Sequence, residues 1–207
     1  MGTRTLHRAA RRVHRENLVE HTGLNAGDGP RVSRTLIHKG RKFDFEFCRV
    51  VDGDGSQDRE VVRHPGAVVI LPLLETPEGP KVVLIRNWRI ALETWSLELP
   101  AGTMEPPEPA AACAARELIE ETGYRAATLT HLGRFHTSPG LSDELMDAYL
   151  ATGLSPAGGQ DLEADERIRV EPTPLARCWE LIASGELMDA KSMLTLLLAQ
   201  RLGLLKA

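Results

Sequence analysis

The sequence predicts an α+β fold: a mixed sheet flanked by helices and preceded by a small β region. Three observations predict it. Short apolar or alternating runs, bounded by Gly, Pro and Asp, recur between residues 32 and 170. An Ala- and Glu-rich stretch at 108–122 has the composition of a helix closed by Gly123. Two further helical patterns, 172–183 and 189–202, follow the last strand.

Taken in order, residues 1–15 are basic, with Arg4, Arg8, Arg11, Arg12 and Arg15 and no acid before Glu16. They lack the apolar core of a secretory signal and read as an arm. The arm, 1–30, ends in the turn cluster Asn25-Ala26-Gly27-Asp28-Gly29-Pro30. Strands are expected at 32–37 and 42–51, joined by His38-Lys39-Gly40. From Lys42 to Phe47 the alternation is strict, so Phe43, Phe45 and Phe47 would share a face. That face either packs on a neighbour or lines part of a base-binding slot. Asp52-Gly53-Asp54-Gly55 reads as a hairpin turn. Strands follow at 59–62, 67–74, 81–86 and 95–99, then at 130–135, 146–153 and 167–170. Arg86 and Arg89 stand three apart at a strand end, either as surface charge or as a clamp for a diphosphate, which suits the guanidinium fork. A polar, turn-rich loop from His136 to Glu144 carries Asp143 and Glu144, and an acid-rich loop spans 154–166.

Composition narrows the function classes. A chain of 207 residues that is 42% hydrophobic can bury a core, and a net charge of −4 gives no basic face for nucleic acid. No apolar run reaches membrane-spanning length. Cys48, Cys113 and Cys178 are odd in number and widely spaced, which fits free thiols in a reducing compartment such as the cytoplasm.

The chemistry concentrates on the helix at 108–122. Glu117, Glu120 and Glu121 lie at i, i+3 and i+4, where like charges oppose each other by roughly 0.2–0.5 kcal/mol per pair. A solvated helix end with an Arg116–Glu120 pair is the plain reading. A divalent cation is the natural compensation, since Mg²⁺ is usually held by a few carboxylates together with substrate phosphates.

The stretch from Gly102 to Tyr124 resembles the Nudix box, G-x5-E-x7-R-E-U-x-E-E-x-G-U, where U is a bulky aliphatic. All seven fixed residues match: Gly102, Glu108, Arg116, Glu117, Glu120, Glu121 and Gly123. Tyr124 stands where an aliphatic is usual. From about 32 to 202 the chain resembles the ADP-ribose pyrophosphatase branch. Arg59 to Ala67 is similar to a stretch of that branch, and Glu98-Leu99-Pro100-Ala101-Gly102 is its usual lead-in to the box. Pro139, within Ser138-Pro139-Gly140, lies sixteen residues past Gly123, the position of the branch's marker proline; GDP-mannose hydrolases also carry Ser-Pro-Gly loops.

The resemblance implies a Nudix-type α/β/α sandwich over 63–207 and, over 31–62, a β region that dimerises by strand exchange. It implies Mg²⁺ (or Mn²⁺), two or three ions, on Glu117, Glu121 and Glu120 with the Ala101 carbonyl. Arg116 would orient the box carboxylates, with Glu98 sharing that task. Arg89, with Arg86, would bind the diphosphate of a nucleotide-sugar, and Gly102, Ser138, Pro139 and Gly140 would also contact substrate. Arg59 would reach the substrate of the partner subunit in a homodimer, and Glu144, rather than Asp143, would be the general base. The implied reaction splits ADP-ribose into AMP and ribose 5-phosphate. Hydrolysis of another nucleoside diphosphate sugar, such as GDP-mannose, or nucleotide sensing without turnover, are the alternatives.

Overall fold

The computed structural model describes residues 30–205, so the basic arm lies outside the described residues apart from Pro30. Twelve strands are present: β1 Arg31–Lys39, β2 Asp44–Asp52, β3 Gly55–Arg63, β4 Ala67–Leu74, β5 Lys81–Arg89, β6 Thr94–Glu98, β7 Ala101–Thr103, β8 Tyr124–Arg125, β9 Thr128–His136, β10 Leu145–Thr152, β11 Ser155–Pro156 and β12 Ile168–Pro174. The helices among the described residues are α1 Ala110–Thr122, α2 Leu175–Ser184 and α3 Ala190–Arg201. The described chain falls into two compact units: residues 30–64 with Ser138–Asp143, and Pro65–Thr137 with residues 144–205. By this division the Ser-Pro-Gly loop belongs to the N-terminal unit.

In the N-terminal unit β1, β2 and β3 form an antiparallel sheet in chain order. Gly53, at φ 56°, lets Asp52 and Gly55 pair across a two-residue turn, as the sequence predicts. The strand β3 begins at Gly55, four residues before the expected start, because Gly55 to Asp58 is polar and shows no apolar alternation. The phenylalanine face is only partly realised. Phe45 and Phe47 lie on β2, but Phe43 precedes the strand and packs edge-on against Phe45, 5.6 Å between ring centres. Loop 138–143 docks on β3: Val62 N–H donates to the Leu141 carbonyl at 2.9 Å, and Arg63 pairs with Glu46 at 2.7 Å and Asp143 at 3.0 Å.

In the second unit a seven-stranded mixed sheet runs β12-β5-β4-β10-β9, with β6 paired to β5 and β7 to β4. Its one parallel pair is β4–β10. The strand β4 is buried on both faces, which is why it reads as a continuous apolar run rather than an alternating one. Val68 and Ile70 pack with Tyr149 under Cys113, Ala114 and Leu118 of α1. Val69 and Leu71 pack on the other face with Leu84 and Leu150 under Leu181, Leu196 and Ala199 of α2 and α3. This is the expected α/β/α sandwich, each buried Val, Leu or Ile contributing about 1.5–3 kcal/mol. No helix among the described residues is long and apolar enough to cross a membrane.

Two helix starts fall later than expected, for one reason. The residue before a proline is pushed out of the helical region. Glu108 precedes Pro109, so Pro109 becomes the extended N-cap (φ −68°, ψ 145°) and α1 opens at Ala110, not at Glu108. Glu171 and Thr173 precede Pro172 and Pro174, so β12 runs on through Pro174 and α2 opens at Leu175, not at Pro172. Asp189 caps α3 as expected, accepting from the Ser192 N–H at 3.0 Å.

The left-handed Gly123 (φ 73°) ends α1, and a Cβ there would stand 2.8 Å from the Gly158 carbonyl oxygen. Gly185 ends α2 in the same conformation (φ 77°) with open space around it. Gly185→Ala should cost about 1 kcal/mol, and Gly123→Ala about 2–3 kcal/mol because strain and collision add. Urea unfolding of both variants measures the difference.

Candidate active site

The helix α1 turns Glu117 and Glu121 inward and leaves Glu120 half-buried. Gly102 on β7 makes this possible: a Cβ there would stand 1.8 Å from the Glu117 carboxyl carbon. The Glu121 carboxylate accepts the Ala101 N–H at 2.9 Å. Burial pushes the Glu121 carboxyl up to about 8; the Ala101 N–H opposes this, while Glu117 and Glu166 reinforce it. Burial likewise pushes Glu117 up to about 7, against the pull of Arg116. Arg116 is the hub of the helix. It donates to Glu108 at 3.0 Å from both Nε and Nη2, and its Nη1 reaches Glu117 at 2.7 Å and Glu120 at 2.8 Å.

Beside β7 lies a cavity of about 390 Å³, lined in part by Arg89, Ala101, Gly102, Thr137, Glu144 and Lys191. The Arg89 guanidinium forks onto the buried Glu98 carboxylate at 2.8 and 2.5 Å. The Thr137 hydroxyl donates to the Glu144 carboxylate. Asp143 is committed elsewhere, accepting from the His64 N–H at 2.9 Å and pairing with Arg63.

Arg89, Ala101, Gly102 and Glu144 are thus gathered round one cavity, with Glu117 and Glu121 against its Ala101–Gly102 wall. Arg86 is not among the lining residues. An odd spacing on a strand sends two side chains to opposite faces, and Arg86 instead forks onto Glu171 at 2.5 and 3.2 Å. Arg59, Ser138, Pro139 and Gly140 are exposed residues of the N-terminal unit, where Arg59 donates to Gln57 at 2.6 Å.

Two charged groups of the site were not assigned from the sequence. Lys191 lines the cavity. Glu166 raises the proton affinity of both Glu117 and Glu121. Its loop is tied to the end of α1: Gln160 Nε2 donates to the Glu121 carbonyl at 2.6 Å and Asp161 N–H to the Glu120 carbonyl at 2.9 Å. An acid-rich loop carries no periodicity, so sequence spacing could not place Glu166 beside the helix.

The donor set fits a hard divalent cation. Glu117 and Glu121 are buried carboxylates whose charged forms lack a sufficient counter-charge, and Arg116 is the only cation bonded to the box acids among the described residues. As the side chains stand, no group of three or more acids, histidines or cysteines among the described residues is placed to hold a metal ion. Two Glu117 and Glu120 oxygens are turned to Arg116.

Residues 63–173 match the model of the NUDIX domain. The chain belongs to the NUDIX family. It is 38% identical to the ADP-ribose pyrophosphatase of Bacillus subtilis over 78% of this chain and 86% of that one. It is 35% identical to the GDP-mannose pyrophosphatase of Cronobacter sakazakii over 68% of this chain and 80% of that one. A crystal structure of an ADP compounds hydrolase superposes with a TM-score of 0.69 over 84% of this chain and 93% of that one, at 24% identity, and so shares the fold.

The raised Glu121 carboxyl has a signed consequence for the metal-free NUDIX domain. The folded state holds the proton up to about pH 8, whereas an unfolded glutamate releases it near 4.3. Folding stability therefore falls as pH rises between those values. Glu121→Gln should remove that loss, so its gain in Tm in EDTA should be larger at pH 8 than at pH 5, as thermal melts would show. Gly102→Ala should displace the Glu117 carboxylate from its pocket and lower kcat by at least about tenfold, with the far-ultraviolet circular dichroism unchanged.

Proposed function

We propose that this NUDIX protein hydrolyses the diphosphate bond of ADP-ribose to AMP and ribose 5-phosphate, using Mg²⁺ or Mn²⁺. One observation carries the reading: an intact carboxylate helix presses Glu117 and Glu121 against the wall of a cavity that also holds Arg89 and Glu144. The identity to an ADP-ribose pyrophosphatase supports the substrate.

Glu117, Glu121 and Glu120, with the Ala101 carbonyl, would hold two or three ions, and Glu166 is close enough in charge to join them. Bound there, the cations would neutralise the diphosphate and lower the pKa of a coordinated water. Arg116 keeps the box carboxylates in place. Arg89 binds the diphosphate through the guanidinium edge that Glu98 leaves open. Gly102 admits the phosphates close to the backbone. The Thr137 hydroxyl holds the Glu144 carboxylate, which takes a proton from the attacking water. Water then adds across one P–O bond and the bridging oxygen leaves with one phosphate.

Arg59 with Ser138, Pro139 and Gly140 belongs in this reading to the nucleoside end of the substrate, with Arg59 contributed to a partner subunit. The N-terminal sheet favours a homodimer. Leu36, Ile37 and Phe45 are 51%, 55% and 41% exposed on a three-stranded sheet too small to hide them. Light scattering at micromolar concentration should give twice the chain mass, and a fully active monomer would overturn the assembly. Three buried, unpaired cysteines suit a reducing compartment such as the cytoplasm.

A second reading, hydrolysis of GDP-mannose, is favoured by the relative of that activity. Initial rates with Mg²⁺ on ADP-ribose, GDP-mannose, ADP-glucose and NADH decide between them. ADP-ribose should give the highest kcat/KM, and no turnover of any would leave nucleotide sensing. With ADP-ribose, Glu144→Gln should lower kcat by about 10²–10⁴-fold at little change in KM. An equal loss in Glu166→Gln with a mild Glu144→Gln would move the base to Glu166.

A further inference from the structure

The cavity is also bounded by a ring of polar contacts, of which the proposed chemistry uses only Arg89 and its Glu98 partner. Glu98, at the end of β6, is its centre. Oε1 accepts from Arg89 Nε, and Oε2 accepts from both Arg89 Nη2 at 2.5 Å and Lys191 Nζ at 2.7 Å. Lys191 Nζ also pairs with Asp189 Oδ1 at 2.9 Å. The other Asp189 oxygen accepts from the Ser192 hydroxyl, and Ser192 Oγ accepts the Leu99 N–H at 2.7 Å, which returns to the residue beside Glu98. The ring therefore ties the end of β6 to the N-cap of α3 at two adjacent residues.

Exposure separates the roles within it. The Glu98 and Lys191 side chains are 3% and 13% exposed, whereas Arg89 is 40% exposed and lines the cavity. Only Arg89 is open enough to take a ligand by a face. The Glu98 fork consumes Nε and one Nη2 hydrogen, leaving the Nη1 donors for an anion. A fork is useful only if its carboxylate is still. Glu98 would otherwise be a buried carboxylate with one flexible partner; a second cation fixed to another element removes that freedom. Burial alone would push the Glu98 carboxyl up, yet Arg89 and Lys191 together hold it down to about 2.

We propose that Lys191 is a positioning residue for the diphosphate: its ammonium, bridging Glu98 and Asp189, fixes the buried carboxylate that aims the Arg89 guanidinium into the cavity. This rests on the reading of Arg89 as the diphosphate ligand. Lys191 acts through Arg89 and not on the substrate, because its ammonium is held between two carboxylates and its side chain is only 13% exposed. Asp189 contributes twice, as cap of α3 and as the anchor that keeps Lys191 from following the substrate's charge.

The test is a double-mutant cycle on the full chain, with KM and kcat for ADP-ribose at saturating Mg²⁺ and Tm for each variant. Lys191→Met should raise KM about tenfold with kcat within about threefold, and Lys191→Arg should recover most of the loss. In the Arg89→Ala background, Lys191→Met should change KM by less than about twofold while still lowering Tm. A purely structural role would move Tm in both backgrounds and KM in neither. A tenfold KM effect in both backgrounds would make Lys191 an independent substrate contact; that result, or an unchanged KM in Lys191→Met, overturns the proposal. An unchanged KM in Arg89→Ala alone would instead remove the diphosphate role of Arg89, and this proposal with it. Should Lys191→Met not fold, Lys191→Gln keeps a donor without the charge and carries the same comparison.

Discussion

The active-site half of the molecule depends on one unfavourable act, the burial of two carboxylates on one helix. Glu117 and Glu121 would each be cheaper in water. They are kept inside because α1 also buries Cys113, Ala114 and Leu118 on the sheet face made by Val68, Ile70 and Tyr149. The apolar stripe sets the rotation of the helix, and the rotation decides that the i and i+4 glutamates go in while Glu120 stays at the rim. Arg116 and the Ala101 N–H relieve part of the cost, but neither carboxyl is brought down to the ordinary carboxylate range. The residual cost is what makes the site receptive to external positive charge.

The surrounding structure follows from accommodating that helix. The strand β7 is only three residues long and carries glycine at its centre, because any side chain there would occupy the space of the Glu117 carboxylate. The strand β4 must be apolar on both faces to support α1 on one side and α2 with α3 on the other. The loop after β11 closes the far end of α1 by giving Gln160 and Asp161 to its last carbonyls, groups that a helix terminus leaves unpaired. That closure also brings Glu166 into electrostatic range of the buried pair.

Much of this was legible in the chain, and the reasons differ by residue. The spacing of Glu117, Glu120 and Glu121 announced a carboxylate face because helical geometry is local. The core strands were legible from hydrophobicity, and the turn at Gly53 from its residue types. What could not be read depended on contacts distant in sequence. Arg86 and Arg89 look alike on paper, but strand alternation separates them and Glu171, 85 residues away, takes the first. Glu166 and Lys191 join the site only through folding. The polar start of β3 has no apolar alternation, so only its pairing with β2 reveals it as strand. Both helix starts are the exception, since the proline rule is local and places them correctly where composition alone does not.

The contrast between Asp143 and Glu144 shows how far neighbouring residues diverge once the chain is folded. Successive residues of an extended segment point apart. Asp143 turns to Arg63 and the His64 N–H and holds the loop to the N-terminal sheet, while Glu144 accepts from Thr137 in the lining of the cavity. A carboxylate bonded to a guanidinium and an amide N–H is stabilised in its charged form, and Asp143 is accordingly held below the usual range. Such a group is a poor proton acceptor, since the interactions that lower its proton affinity would have to be given up. Glu144 instead accepts from the Thr137 hydroxyl among the residues that line the cavity. Two adjacent acids are therefore separated by the partners that each side chain meets: one ties the loop to β3, and the other is left lining the cavity.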